Sequence, residues 1–162
     1  MAKTPKPLAV RMLEQRGIPH ELFQFDPSIR SAAEVARATG VAPREVFKTL
    51  VVEQDPPKGK PYLVMMPADS ELNLKALAAA LGVKKVRMAS HADAERYTGL
   101  QVGGISALAL IGKGFASYID ARATELPHIL VSAGQRGFDV RIAVPDLLAL
   151  TGAKPIAGIG SS

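Results

Sequence analysis

The chain has 162 residues, of which 48% are hydrophobic and 22% charged, a balance that suits one globular domain with a proper core and excludes wholesale disorder. It contains no cysteine, which excludes disulfides, zinc–thiolate sites and a cysteine nucleophile. Its formal charge of +5 suits a polyanionic partner without demanding one, and its five Phe and three Tyr are not interleaved with basic residues as a single-strand stacking platform requires.

Along the chain, Met-Ala-Lys-Thr-Pro-Lys-Pro leads into a mixed polar segment and not into the apolar h-region of a secretory signal. No apolar run reaches the roughly 18 residues of a membrane span, so the expectation is a cytoplasmic protein with neither membrane nor DNA as partner. Thr4-Pro5 supplies a cap and a proline at the first helical position, predicting a helix over 5–16 that ends at Gly17. Glu21–Phe25 reads as a strand, and Ser31-Ala-Ala-Glu34 has the spacing of a capping box that opens a helix over 32–39 before Gly40. Phe47–Glu53 and Tyr62–Met66 are strand-like runs on either side of the turn-rich Gln54–Pro61, which predicts a hairpin. Asn73 and Ser90 cap helices over 74–81 and 91–98, closed by Gly82 and Gly99, with a short strand Lys84–Met88 between them. Ile105–Ile111, Ser117–Asp120, His128–Ser132 and Phe138–Ala143 read as further strands, the last two joined through Ala133–Gly137, and a helix over 145–151 stops at Gly152. Hairpins mixed with short helices predict a mixed α/β fold: one compact mixed sheet with short helices around it, a single domain over 1–162 with frayed ends at 1–3 and 158–162.

Chemistry concentrates in Val102-Gly103-Gly104-Ile105-Ser106. Adjacent glycines inside an apolar run mark either a bulge or corner with no ligand, or a close approach in which the amides of Gly103, Gly104 and Ile105 face an anion or a carbonyl oxygen. Period two places Val46, Lys48, Leu50 and Val52 on one face of their strand and Phe47, Thr49 and Val51 on the other. Lys48 therefore enters an apolar layer, where it needs an acidic partner or an anionic ligand, unless it snorkels out at the strand start. Asp139, beside the Arg136-Gly137 turn, is either its counter-ion or an ordinary turn carboxylate. The familiar catalytic arrangements fail: His20, His91 and His128 lack metal-ligand spacing, neither Ser106 nor Ser132 sits in a nucleophile elbow, and no phosphate-binding loop is complete. What is left is a pocket of backbone donors, one lysine and small side chains without a nucleophile.

The blocks Phe47-Lys48-Thr49-Leu50, Thr98-Gly99 with Val102–Ser106, and Val131-Ser132 with Gly134 and Arg136-Gly137 resemble the YbaK/EbsC family of Cys-tRNA(Pro) deacylases, free-standing relatives of the editing domain inserted in bacterial prolyl-tRNA synthetases. Leu72–Leu77, Ala80–Ala89 and Phe138-Asp139-Val140 extend the resemblance, which covers residues 8–155. It implies a compact mixed α/β fold, no cofactor and no metal, and hydrolytic editing of mischarged tRNA, with prolyl-tRNA synthetase as a further partner. It places Lys48 near the terminal adenosine and aminoacyl group, and assigns the contacts to the ester to the backbone of Gly103, Gly104, Ile105 and Ser106. Ser132, Ala133, Gly134 and Asp139 line the same pocket. In this family the substrate's own cysteinyl thiol is thought to attack its carbonyl and release a thiolactone, which is why the activity is classed as a lyase as well as a hydrolase. Two positions depart from the family pattern: Ala107 replaces a usual proline, and Phe25 stands where an aromatic hydroxyl is common. Both bear on the preferred amino acid, and Ala107 keeps open deacylation of Ala- or Ser-tRNA; a separate alternative is a non-catalytic module that binds tRNA or synthetase. Lys84, Lys85 and Arg87 are expected to meet tRNA phosphates without reading bases.

Overall fold

The computed structural model describes residues 5–161. In chain order these form α1 (Leu8–Gln15), β1 (His20–Gln24), α2 (Ala32–Thr39), β2 (Phe47–Gln54), β3 (Tyr62–Pro67), β4 (Glu71–Leu72), α3 (Leu74–Leu81) and β5 (Val86–Met88). There follow α4 (His91–Thr98), β6 (Ser117–Asp120), β7 (His128–Gln135), β8 (Phe138–Ala143), α5 (Val144–Thr151), β9 (Lys154–Ile156) and β10 (Gly160–Ser161). Helices α2, α3 and α4 begin where their caps dictate: Ser31, Asn73 and Ser90 accept from the amides of Glu34, Ala76 and Asp93 at 3.1, 3.0 and 3.1 Å. Each such cap stabilises its helix by about 1 kcal/mol.

The fold is mixed α/β, with two principal sheets. One is five-stranded, in the order β5-β2-β3-β6-β9, antiparallel between β5, β2 and β3 and parallel from β3 through β6 to β9. The other is an antiparallel three-stranded sheet in the order β1-β8-β7. They meet at the start of β2, where Val46 bridges Leu130 of β7. As the alternation of its residues predicts, β2 lies between two apolar layers. Phe47 and Val51 join the largest core cluster, with Ile105, Leu108 and Val131, while Leu50 and Val52 pack with Val64, Met66 and Leu77. The hairpin of β2 and β3 pairs Phe47 with Pro67 through Val52 with Tyr62. No helix among the described residues is long and apolar enough to cross a membrane.

Several expectations are corrected. The first helix starts at Leu8 and not at residue 5, because Pro7 holds an extended ψ of 150° and serves as its cap; Thr4, the expected cap, lies outside the described residues, as do residues 1–3. Ile105–Ile111 is not a strand but a chain of tight turns, in which Ala109 donates to Ser106 Oγ at 3.2 Å and Leu110 to the Ala107 carbonyl at 3.3 Å. Ile105, Ala107, Leu108 and Leu110 are buried all the same, and burial without pairing is what an apolar run cannot announce. The short strand begins at Val86, leaving Lys84 and Lys85 ahead of it. Residues 158–161 do not fray: Ile159 is buried, Gly160 and Ser161 pair with Leu72 and Glu71, and Ser70 Oγ donates to the Ser161 carbonyl at 2.6 Å.

Candidate functional site

Where the two sheets meet, they enclose a cavity of about 330 Å³, at the small end of the roughly 300–1,000 Å³ typical of ligand clefts. One wall is the start of α2 with Arg30 and Ser31 before it, and a second is Val46–Leu50 of β2, including Lys48. Val102, Gly103 and Ile105 close a third side, and Ser132 and Asp139 form the floor. The floor pair is set by the sheet: Ser132 of β7 stands directly opposite Asp139 of β8. Of the residues singled out in the sequence, Lys48, Gly103, Ile105, Ser132 and Asp139 thus converge on one space.

The others support that space without lining it. Gly104 is buried against the turn after β7, where a Cβ would stand 2.9 Å from the Arg136 amide nitrogen and 3.1 Å from the Gln135 carbonyl carbon. Its own amide donates to the Gln101 carbonyl at 2.8 Å and is not free for a ligand. The amides of Gly103 and Ile105 make no hydrogen bond among the described residues. Ser106 and Ala107 are buried behind the loop, 1% and 5% exposed. Gly134 sits in the irregular part of β7 at φ +97°, with Ala109 so close that a Cβ would come within 2.6 Å of its methyl. Ala133 and Gly134 face an apolar groove beside Leu8 and Met12. Phe25 packs on the Val35–Val46 cluster, its amide bonded to the Gly137 carbonyl at 2.9 Å.

The glycine loop is held from outside by two charged side chains that the sequence reading gave no role. Glu95 Oε2 of α4 accepts from the Val102 amide at 2.8 Å, and Arg136 Nε donates to the Val102 carbonyl at 2.8 Å. Glu95 could not be found by spacing, since it acts from seven residues away across a helix end; Arg136 stood inside a noted turn. Arg30, which also lines the cavity, was missed as a lone basic residue ahead of a capping box.

Asp139 is neither of the things expected of it. It lies within β8 and not in the turn, it is 6% exposed, and no ion pair or hydrogen bond among the described residues joins it to Lys48. Burial without such a partner pushes its carboxyl up to about 7. Ser132 Oγ accepts from the Gly134 amide at 3.2 Å, which leaves its proton free to donate, and no histidine hydrogen-bonds to it. Among the described residues no group of three or more His, Asp or Glu is placed to hold a metal ion. The cavity is lined by Lys48 and by Gly103 and Ile105, whose amides are unpaired among the described residues, with a titratable carboxyl on the floor. It holds no activated nucleophile.

The basic run lies elsewhere. Arg87 pairs across the sheet with Glu53, five residues beyond Lys48 on β2, about 16 Å at the usual strand rise. Its Nε meets Glu53 at 2.7 Å and its Nη1 meets Asp55 at 3.2 Å, while Lys85 reaches Asp55 at 3.4 Å.

With this cavity at the junction of a mixed and an antiparallel sheet, the chain falls in a known class: residues 26–150 match the aminoacyl-tRNA editing domain, and the chain belongs to that family. EbsC of Enterococcus faecalis, named as a candidate Cys-tRNA(Pro)/Cys-tRNA(Cys) deacylase, is 37% identical over 145 residues, 88% of this chain and 87% of that protein. The proline–tRNA ligase of Acidithiobacillus ferrooxidans is 35% identical over 79 residues, 49% of this chain but 13% of the ligase. A crystal structure titled as that of a candidate trans-editing enzyme for prolyl-tRNA synthetase superposes with a TM-score of 0.79 at 24% identity, covering 99% of both chains, and shares the fold.

Proposed function

We propose that this chain deacylates mischarged tRNA in trans, with Cys-tRNA(Pro) as its substrate and prolyl-tRNA synthetase as the enzyme whose errors it corrects. The observation that carries the reading is the cavity itself: it is lined by Lys48 and by Gly103 and Ile105, whose amides are unpaired among the described residues and would serve a carbonyl oxygen as donors, and its lining presents no activated nucleophile. A substrate that brings its own nucleophile completes the site. The cysteinyl sulfur attacks the ester carbonyl carbon as its thiol proton leaves, a C–S bond forms, and the bond from that carbon to the ribose oxygen breaks. The ribose oxygen takes up a proton, and the products are a thiolactone and a tRNA with a free terminal hydroxyl. Asp139, on the floor, is the group able to carry that proton near neutral pH. Lys48 and the amides hold the oxyanion and the terminal nucleotide.

The preference for cysteine over alanine or serine rests on the 37% identity to EbsC, named for Cys-tRNA deacylation. Ala107 is buried and is not among the residues that line the cavity. The test is a panel of Cys-, Ser- and Ala-tRNA with product analysis. Cys-tRNA is expected to be cleared much faster than Ser-tRNA, with a thiolactone among the products. Ser132→Ala is expected to slow turnover by roughly 10- to 100-fold, the size of a lost positioning hydrogen bond, without abolishing it. Equal rates for cysteine and serine, or an acyl-enzyme on Ser132, would refute the mechanism.

A further inference from the structure

One cation at the edge of the cavity has no partner among the described residues. Arg30, between β1 and α2, is exposed, lines the cavity, and makes no ion pair or hydrogen bond among the described residues. Arg87, Arg96 and Arg122 each hold a carboxylate and Arg136 holds a carbonyl. Arg11, Arg16 and Arg37 are also without a side-chain partner among the described residues, but Arg11 and Arg37 do not line this cavity and Arg16 lines a different one. The root of the Arg30 side chain is nevertheless firmly placed. It lies where Gly103 has no side chain: a Cβ there would stand 3.2 Å from both Cβ and Cγ of Arg30, and Gly103 itself sits at φ +93°. The glycine loop thus seats the stem of an arginine whose guanidinium, with five donors in a planar fork, is left at the rim.

An aminoacyl ester bound near Lys48 and the amides hangs from the terminal ribose of a tRNA, and the next charged group along that chain is a phosphodiester on the ribose's 5′ side. We propose that Arg30 binds this phosphodiester through its guanidinium fork, holding the tRNA end at the mouth while the ester reaches the amides. The assignment rests on the deacylase reading of the same cavity. It gives the two cations separate tasks: Lys48, half-buried on β2, serves the reacting end, and Arg30 the backbone behind it.

The experiment compares wild type with Arg30→Ala on two substrates bearing the same aminoacyl group, whichever the wild type clears fastest. One is the charged tRNA; the other is the aminoacyl ester of adenosine, which carries no phosphate. With tRNA, KM should rise roughly 10- to 100-fold at nearly unchanged kcat, as for loss of a charge-assisted hydrogen bond. The slope of log KM against log salt should fall by roughly 0.7–1. With the adenosine ester the variant should match wild type, and Arg30→Lys should recover part of the tRNA effect. Equal losses on both substrates would show that Arg30 merely props the Gly103 loop and would overturn the proposal, as would no loss on either. A wild type that clears no aminoacyl ester would bring down the deacylase reading first, and this assignment with it.

Discussion

At its first residues β2 offers Lys48 to a cavity in which no carboxylate of the described residues pairs with it. Five residues on, the same strand carries Glu53, 4% exposed, which holds Arg87 at 2.7 Å and accepts from the Tyr97 hydroxyl at 2.9 Å. Asp55 then takes the second arm of Arg87 and Lys85 together. At one end of the strand Glu53 and Asp55 are matched by Arg87 and Lys85; at the other, among the described residues, a lysine, an arginine, two amides and a carboxyl are left unmatched. Buried and half-buried polar groups are ordinarily satisfied, so a cluster that is not is waiting for something from outside. The densest basic run in the sequence, Lys84–Arg87, lies at the end where Lys85 and Arg87 already hold carboxylates.

The sharpest way to break this contrast is Lys48→Ala. Loss of a cation that stabilises a developing oxyanion should lower turnover by roughly 100- to 1,000-fold, with the far-UV circular dichroism of the folded protein retained. A variant as active as wild type would make the unmatched lysine a bystander.

Asp139→Asn comes next and reads out on stability as well as rate. With its carboxyl raised to about 7 in the fold, against about 4 in an unfolded chain, Asp139 holds its proton more tightly when folded. Its contribution is fully present below about pH 4 and is lost as the pH climbs through about 7, by up to about 4 kcal/mol. Urea unfolding should therefore find Asp139→Asn more stable than wild type at pH 8 and indistinguishable from it at pH 4. Deacylation by the wild type should rise through the same interval, and the rise should vanish in the variant; a parallel pH profile would remove Asp139 from the proton path.

The smallest effect belongs to the balanced end. Replacing Lys84, Lys85 and Arg87 together by Ala strips Glu53 and Asp55 of their partners, so the urea midpoint should drop. The KM for charged tRNA should change less than in Arg30→Ala. A larger loss of tRNA affinity than in Arg30→Ala would restore this run as the phosphate contact.

Much of the framework was legible because it is written locally. The helices at 32–39, 74–81 and 91–98 match their caps and stop residues to the position, since a Ser or Asn oxygen and a following glycine act within one turn. The β2–β3 and β7–β8 hairpins follow from turn chemistry in the same way. What failed depends on distant partners: β9 exists because β6 has a free edge, and the 105–111 run is coiled because the loop is pinned elsewhere. The site divides likewise. Lys48, Gly103, Ser132 and Asp139 carry residue-level signals of strain or burial. Arg30 and Glu95 are ordinary surface charges until the fold brings a glycine beside one and an amide beside the other.

The Val102 peptide, gripped at its nitrogen by Glu95 and at its oxygen by Arg136, has a consequence best stated as entropy. A segment with two glycines has more backbone freedom to surrender than any other of its length. Here that freedom is surrendered when the chain folds, to a helix on one side and a hairpin turn on the other. On the deacylase proposal, an ester entering the cavity would meet a loop already ordered, and that ordering would not be repeated at every turnover.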